Sequence, residues 1–199
     1  MTPVAWKTLR TVLYGAAALA LLATLWFQVV APRMGRDIAS ELGRGDYRLT
    51  TTDGESFTEE TLRGAPSAVF FGFTHCPEVC PTTLSDITIW QDDLGDKAKD
   101  LRIWFVTVDP ERDSPQMMKE YLGWVPGVTG VSGSPEDIAK AERAFRIFAR
   151  KIPLESGGYT MDHTAYILLF DDHGRFADLI GYQEKPETAL AKLRKLLGA

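Results

Sequence analysis

Both cysteines of the chain fall in one short stretch, FTHCPEVCP at residues 73–81, with a proline after each thiol and His75 beside the first. Cys76 and Cys80 so placed could do three kinds of chemistry. A structural disulfide is the ordinary use of two cysteines in an exported domain, but so short a loop constrains the unfolded chain little. Thiol-disulfide exchange is the second, although it commonly uses two intervening residues and here there are three. The wider gap leaves room for something held between the sulfurs, and a soft metal is the third reading. Two thiolates at the ~2.3 Å zinc–sulfur distance, used as a proxy, sit roughly 4 Å apart, within reach of this loop. A structural zinc site needs four ligands, whereas the chain has two cysteines and three histidines. Thiolates with one imidazole suit copper, which accepts fewer ligands as Cu(I).

The histidines differ in promise. Strand alternation carried past Phe73 turns His75 away from Cys76. His173 falls in a turn, DDHG, and reads as solvated. His163, in MDHTAYILLF, stands immediately before an apolar strand, at the kind of strand end that borders α/β sites; the plainer reading is a hydrogen-bonded boundary residue.

Prolines locate the thiols on the fold. A helix starting at Pro77 would carry Pro81 in its interior at a cost of ~3 kcal/mol, so the helix is expected to start at Pro81 with Cys80 as its cap and Leu84, Ile87 and Trp90 inward. The thiols then sit at the positive end of a helix, where dipole and free N–H groups favour the thiolate.

Around this loop, apolar strands alternate with amphipathic helices, the pattern of an α/β domain. Strands are expected at 47–51, 68–73, 101–108, 165–170 and 176–180, with AVFFGF and LRIWFVTV as central strands buried on both faces. Asp171 to Gly174 reads as a hairpin turn. Ser114-Pro115 and Ser134-Pro135 each put a capping hydroxyl before a proline that starts a helix. The second helix is expected to run on through Phe145, Phe148 and Ile152, and the last one covers 187–197 with Leu190, Leu193 and Leu197 on one stripe. The order, a hairpin-like entry followed by βαβααββα, is a thioredoxin-like layout with a central sheet flanked by helices.

Residues 12–31, VLYGAAALALLATLWFQVVA, are uncharged and about the ~20 residues that span a bilayer. They exceed the core of a signal peptide, and Val29-Val30-Ala31 is followed by Pro32, a poor residue after a cleavage point. No cysteine lies at the end of this run, so a lipid attachment there is excluded. The expected organisation is a short tail (1–11), a transmembrane anchor (12–31), a polar tether with a short helical piece (32–46) and a domain (47–199). Lys7 and Arg10 before the anchor nearly balance Arg33 and Arg36 after it, so charge leaves the orientation open. The lack of transit-peptide character favours a single-pass bacterial inner-membrane protein with its domain in the periplasm, where a dithiol can be oxidised or reduced. Residues 1–34 hold three basic residues and no acid, so the rest carries −8 against −5 for the whole chain. That charge argues against nucleic acid as a partner.

FGFTHCPEVCPTTL, VTVDPERDSP and MDHTA, in that order and spacing, together resemble the Sco/SenC family of cytochrome c oxidase assembly proteins, over roughly Tyr47 to Leu197. The resemblance implies a membrane-tethered thioredoxin-like domain that binds one copper ion, as Cu(I) or Cu(II), through Cys76, Cys80 and His163. It implies delivery of copper to, or preparation of, the dinuclear CuA centre, with the CuA-bearing oxidase subunit as partner and another copper chaperone as donor. From the ligand types, the reduced thiols are expected to hold copper and a reversible Cys76–Cys80 disulfide to be the emptied form; the rival role, which the resemblance leaves open, is an oxidoreductase that keeps the CuA cysteines reduced. His75 belongs to the family pattern without being a ligand. Asp109 matches a family motif and, with Asp162, is expected just behind the ligands; Asp109 could equally cap the turn before the Ser114 helix. Glu78 and Thr164 depart slightly from the family, where Asp and Ser are common.

Overall fold

The computed structural model describes residues 3–31 and 39–198, with side chains from Arg10 onward in the first segment except Thr11. The chain divides into two units between Glu41 and Leu42. In the first, helix α1 (Pro3–Leu25) continues into a π-helical turn (Trp26–Val30). Its stretch Val12–Val30 is 19 residues long with a mean hydropathy of 1.8, enough to cross a membrane by length and composition. Residues 39–41 are helical, matching the short helical piece expected in the tether; its part at 32–38, with Arg33 and Arg36, lies outside the described residues.

The second unit is built on a seven-stranded mixed sheet ordered β2-β1-β5-β4-β3-β8-β9. Its strands are β1 (Leu49–Thr51), β2 (Ser56–Phe57), β3 (Ser67–Gly72), β4 (Arg102–Thr107), β5 (Val128–Ser132), β8 (Ile167–Phe170) and β9 (Phe176–Ile180). At its centre β3, β4 and β5 run parallel, joined by crossover helices α2 (Val79–Leu94) and α3 (Pro115–Leu122). The other pairings, β3 with β8 among them, are antiparallel. Every residue of β3 and β8 is buried, which explains the near-continuous apolar runs of central strands. Helix α4 (Pro135–Ala144) precedes a separate two-stranded sheet, β6 (Ala149–Pro153) with β7 (Tyr159–His163), and α5 (Pro186–Leu197) closes the chain. This is the thioredoxin-like arrangement expected, including the entry hairpin β1–β2. Phe145 ties the layers together, packing on Tyr47, Phe71 and Phe170 at centroid distances of 5.6, 5.2 and 5.7 Å.

Local signals hold where they are chemical. Ser114 and Ser134 accept from the N–H groups of Met117 and Asp137 with proline at the first helical turn, and Gly174 turns the β8–β9 hairpin at φ 71°. Two expectations are corrected. Helix α2 starts at Val79, so Cys80 and Pro81 lie in its first turn and Glu78 occupies the cap position. The first N–H groups of a helix have no intrahelical acceptor, so a proline there loses nothing. The helix expected to run through Ile152 ends at Ala144. Arg146 turns left-handed at φ 57°, Phe148 is 54% exposed, and Ile152 belongs to β6.

Candidate metal site

Helix α2 begins directly after the loop that leaves β3, so the two thiols stand where the sheet ends and a helix N-terminus opens. The loop is wound tightly: the Cys76 N–H donates to the Phe73 carbonyl at 3.2 Å and the Cys80 N–H to Cys76 Sγ at 3.4 Å. Cys80 is buried and Cys76 partly buried, both as free thiols. Gly72 makes room for them, because a Cβ there would lie 2.9 Å from Cys80 Sγ and 2.8 Å from the Phe105 ring. Asp113 braces the loop from behind. Its fully buried carboxylate accepts from the Thr74 N–H (3.0 Å), Thr74 Oγ1 (2.6 Å) and Thr107 Oγ1 (2.7 Å). A buried carboxylate needs such donors, and these bind the start of the thiol loop to the end of β4.

His163 arrives from the other side, as the last residue of β7. Alternation along the strand puts Tyr159, Met161 and His163 on one face, and Met161 packs on the core. The ring of His163 meets Phe73 edge-on at 5.7 Å, and its Nε2 lies 3.9 Å from Cys80 Sγ. Its Nδ1 is 2.9 Å from the Thr164 carbonyl. A carbonyl only accepts, so the proton sits on Nδ1 and the Nε2 lone pair is left facing the sulfurs. One ligand atom each from Cys76, Cys80 and His163 lies within 4.8 Å of the others. Around one ion such donors close to about 4 Å, so only a small contraction separates this arrangement from a coordination shell. Two sulfurs and one imidazole form a soft donor set that fits copper.

The pair also has the electrostatics of a reactive dithiol. Cys76 is pulled down to about 4 by the hydrogen bond with the Cys80 thiol, then by the N–H groups of Cys80 and Glu78, against the opposing effect of burial. Cys80 is pushed up by its pairing with Cys76, by burial, and by the negative charges of Cys76 and Asp113. One thiolate is therefore shared by the pair, and Cys76, the more accessible, carries it.

The other residues singled out in the sequence take different places. His75 is about half exposed, with Nδ1 3.0 Å from Thr74 Oγ1, outside the ligand group. His173 is a solvated turn residue, 3.7 Å from Asp172. Asp162 points to the opposite face of β7, where it accepts from Arg150 Nε at 3.1 Å, so it does not stand behind the ligands. Asp109 is fully buried and belongs to the supporting structure. Its carbonyl closes the turn to Arg112 and Asp113, and its carboxylate accepts from Tyr159 OH (2.8 Å) and pairs with Arg112 Nε. Asp113, Thr74 and Gly72 escaped sequence reasoning. Asp113 sits four residues past Asp109 in the same VDPERD run, but nothing in the spacing tells which acid turns back toward the thiol loop.

A model of the SCO1/SenC family matches residues 36–198. The chain belongs to the SCO1/SenC family. Among its SCO1/SenC relatives, SCO2 of Saccharomyces cerevisiae mitochondria is 32% identical over 159 residues, covering 78% of this chain and 53% of the yeast protein. The chain thus spans about half the length of that relative. A SCO2-like protein of Rickettsia conorii is 31% identical over 153 residues, 75% of each chain. The solved structure of Bradyrhizobium japonicum ScoI with copper bound is 42% identical, with a TM-score of 0.71, covering 78% of this chain and 99% of that one. Yeast Sco1 with copper bound is 31% identical at a TM-score of 0.72, covering 80% of this chain and 90% of the other.

Proposed function

We propose that this SCO1/SenC-family chain is a copper-binding protein that delivers copper to, or prepares, the CuA centre of cytochrome c oxidase, with Cys76, Cys80 and His163 as ligands of its cargo. The observation that carries this reading is the convergence of those three ligand atoms within 4.8 Å, with the His163 lone pair turned toward the sulfurs. The copper in the bacterial and yeast relatives' structures supports the identity of the ion. The apolar helix Val12–Val30 supports anchorage, and the Rickettsia relatives fit a bacterial membrane. On this reading the helix anchors the chain in the inner membrane, the domain faces the periplasm, the partner is the CuA-bearing subunit, and a separate chaperone supplies the copper.

A second reading is favoured by the thiolate on Cys76 over a buried Cys80 thiol. As an oxidoreductase, the Cys76 thiolate would attack a disulfide in the oxidase subunit and release one target thiolate. Cys80, losing its proton, would then attack Cys76 Sγ and release the second. The products are a Cys76–Cys80 disulfide and a target reduced by two electrons.

The test is copper titration of the reduced full chain in detergent micelles, with X-ray absorption to count ligands. The expected result is one copper per chain bound by two sulfurs and a nitrogen, and fewer than two sulfurs would sink the site. His163→Ala separates the two readings: lost oxidase assembly with thiol exchange intact identifies copper delivery, whereas retained assembly identifies the reductase. A Cys76→Ser chain that stays folded and no longer binds copper eliminates a merely structural role for the thiols.

A further inference from the structure

His163 reaches the thiols on a strand that belongs to no part of the main sheet. Among the described residues β6 and β7 pair only with each other, in register from Ala149–His163 to Pro153–Tyr159. Besides Met161 and Ala149, which pack on the core, a set of side chains at the end of β7 opposite His163 holds their inner face to the body. The Tyr159 hydroxyl donates to Asp109 Oδ1 at 2.8 Å. The Arg112 guanidinium lies 3.9 Å from the centre of the Tyr159 ring, and its Nη1 donates to the Tyr159 carbonyl at 3.0 Å. Arg112 also pairs with Asp109 and lies 6.0 Å from the Phe73 ring, the same ring that meets His163 edge-on. A second ion pair, Lys151 to Glu111 at 2.6 Å, joins β6 to the same loop.

The loop at 109–113 therefore grips both halves of the site. Asp113 holds the thiol loop through Thr74, while Asp109 and Arg112 hold the histidine strand through Tyr159. Tyr159 and His163 share the face of β7 that looks onto the body. Rotating or lifting Tyr159 would carry His163 with it, whereas Cys76 and Cys80 are fixed independently by α2 and Asp113.

We propose that Tyr159 and Arg112 are positioning residues that hold His163 Nε2 against the thiol pair, so that this contact sets how well the site accepts Cu(II) while leaving its hold on Cu(I) to the two sulfurs. The inference rests on the copper-site reading above. Its chemical basis is that two thiolates alone satisfy Cu(I), which accepts few ligands, whereas Cu(II) draws on the added imidazole nitrogen.

The experiment uses the full chain in detergent with Tyr159→Ala and Arg112→Lys, and Thr160→Ser on the other face of β7 as control. Cu(I) affinity is read by competition with a chromophoric chelator, and Cu(II) by titration with nitrogen hyperfine structure in its paramagnetic resonance. In the two positioning variants, Cu(II) affinity should fall about 10- to 100-fold with weakened nitrogen coupling, while Cu(I) affinity moves less than about threefold. The control should match wild type in both. Tyr159→Phe, which keeps the ring under Arg112 and loses only the bond to Asp109, should fall between. Equal losses for both oxidation states, or wild-type Cu(II) affinity and coupling in the variants, would overturn the inference. Should Tyr159→Ala not fold, Arg112→Lys decides by the same criteria. If wild type itself takes up copper without two sulfurs, the copper-site reading fails, an outcome distinct from either of these.

Discussion

Cys76 and Cys80 hold one negative charge between them, and their surroundings place it on Cys76, beside the N–H groups of the α2 N-terminus and partly open to solvent. In the reduced, metal-free protein, alkylation by iodoacetamide should therefore label Cys76 first, at a rate nearly constant from about pH 8 to about pH 6, because its thiolate persists to about 4. Peptide mapping that finds Cys80 labelled first, or a rate falling tenfold per unit over that range, would contradict the assignment. Between about 4 and 9.0 the unfolded chain binds a proton at Cys76 that the native state does not, so this residue's contribution grows as pH rises through that window and is lost as pH falls through about 4. Cys80, shifted upward, acts oppositely above 9.0. At this scale the sequence announced the thiols and their helix terminus, because prolines and spacing are local. The role of Asp113 was not legible, since its three donors come from Thr74 and Thr107, on the thiol loop and on β4.

Helix α4 and strand β6 illustrate what an element needs beyond periodicity. The apolar positions Ile138, Ala141, Phe145, Phe148 and Ile152 fit one helical face, but the tertiary contacts of Phe145 end the helix. Once its ring is fixed among Tyr47, Phe71 and Phe170, the chain is turned outward by Arg146 at φ 57° and emerges as a strand. A left-handed conformation costs a non-glycine residue roughly 1–2 kcal/mol. Arg146→Gly should therefore stabilise the protein by about 0.5–1 kcal/mol once glycine's greater freedom in the unfolded chain is deducted. Chemical denaturation of the two proteins measures it, and a destabilised variant would mean that the exposed Arg146 side chain contributes more than its backbone costs. The short strands β5 and β7 were illegible for a related reason. VTGVS and YTMDH carry too few apolar residues to signal a strand by themselves and become strands by pairing with β4 and β6.

At the scale of the molecule, the candidate site is a product of topology. Cys80 and His163 stand 83 residues apart, and no spacing rule connects them; the family pattern in MDHTA named His163, and the return of the chain through β7 places it beside the thiols. The fold class was readable because β3, β4 and the capped helices are locally written. The partition into a seven-stranded sheet and a detached pair was not, because it depends on which edges meet. That partition has a temporal consequence. Amides of β3 and β4 lie deep in a shared ladder and open only with most of the domain, whereas those of β6 and β7 open on release of the Tyr159 and Lys151 anchors and of the edge packing of Met161 and Ala149. Hydrogen–deuterium exchange should accordingly find β6 and β7 exchanging well before β3 and β4, and equal protection would show one cooperative unit. A strand that opens on its own schedule gives His163 its own residence time, so the interval for which it stays closed over the thiols becomes a clock built into the domain.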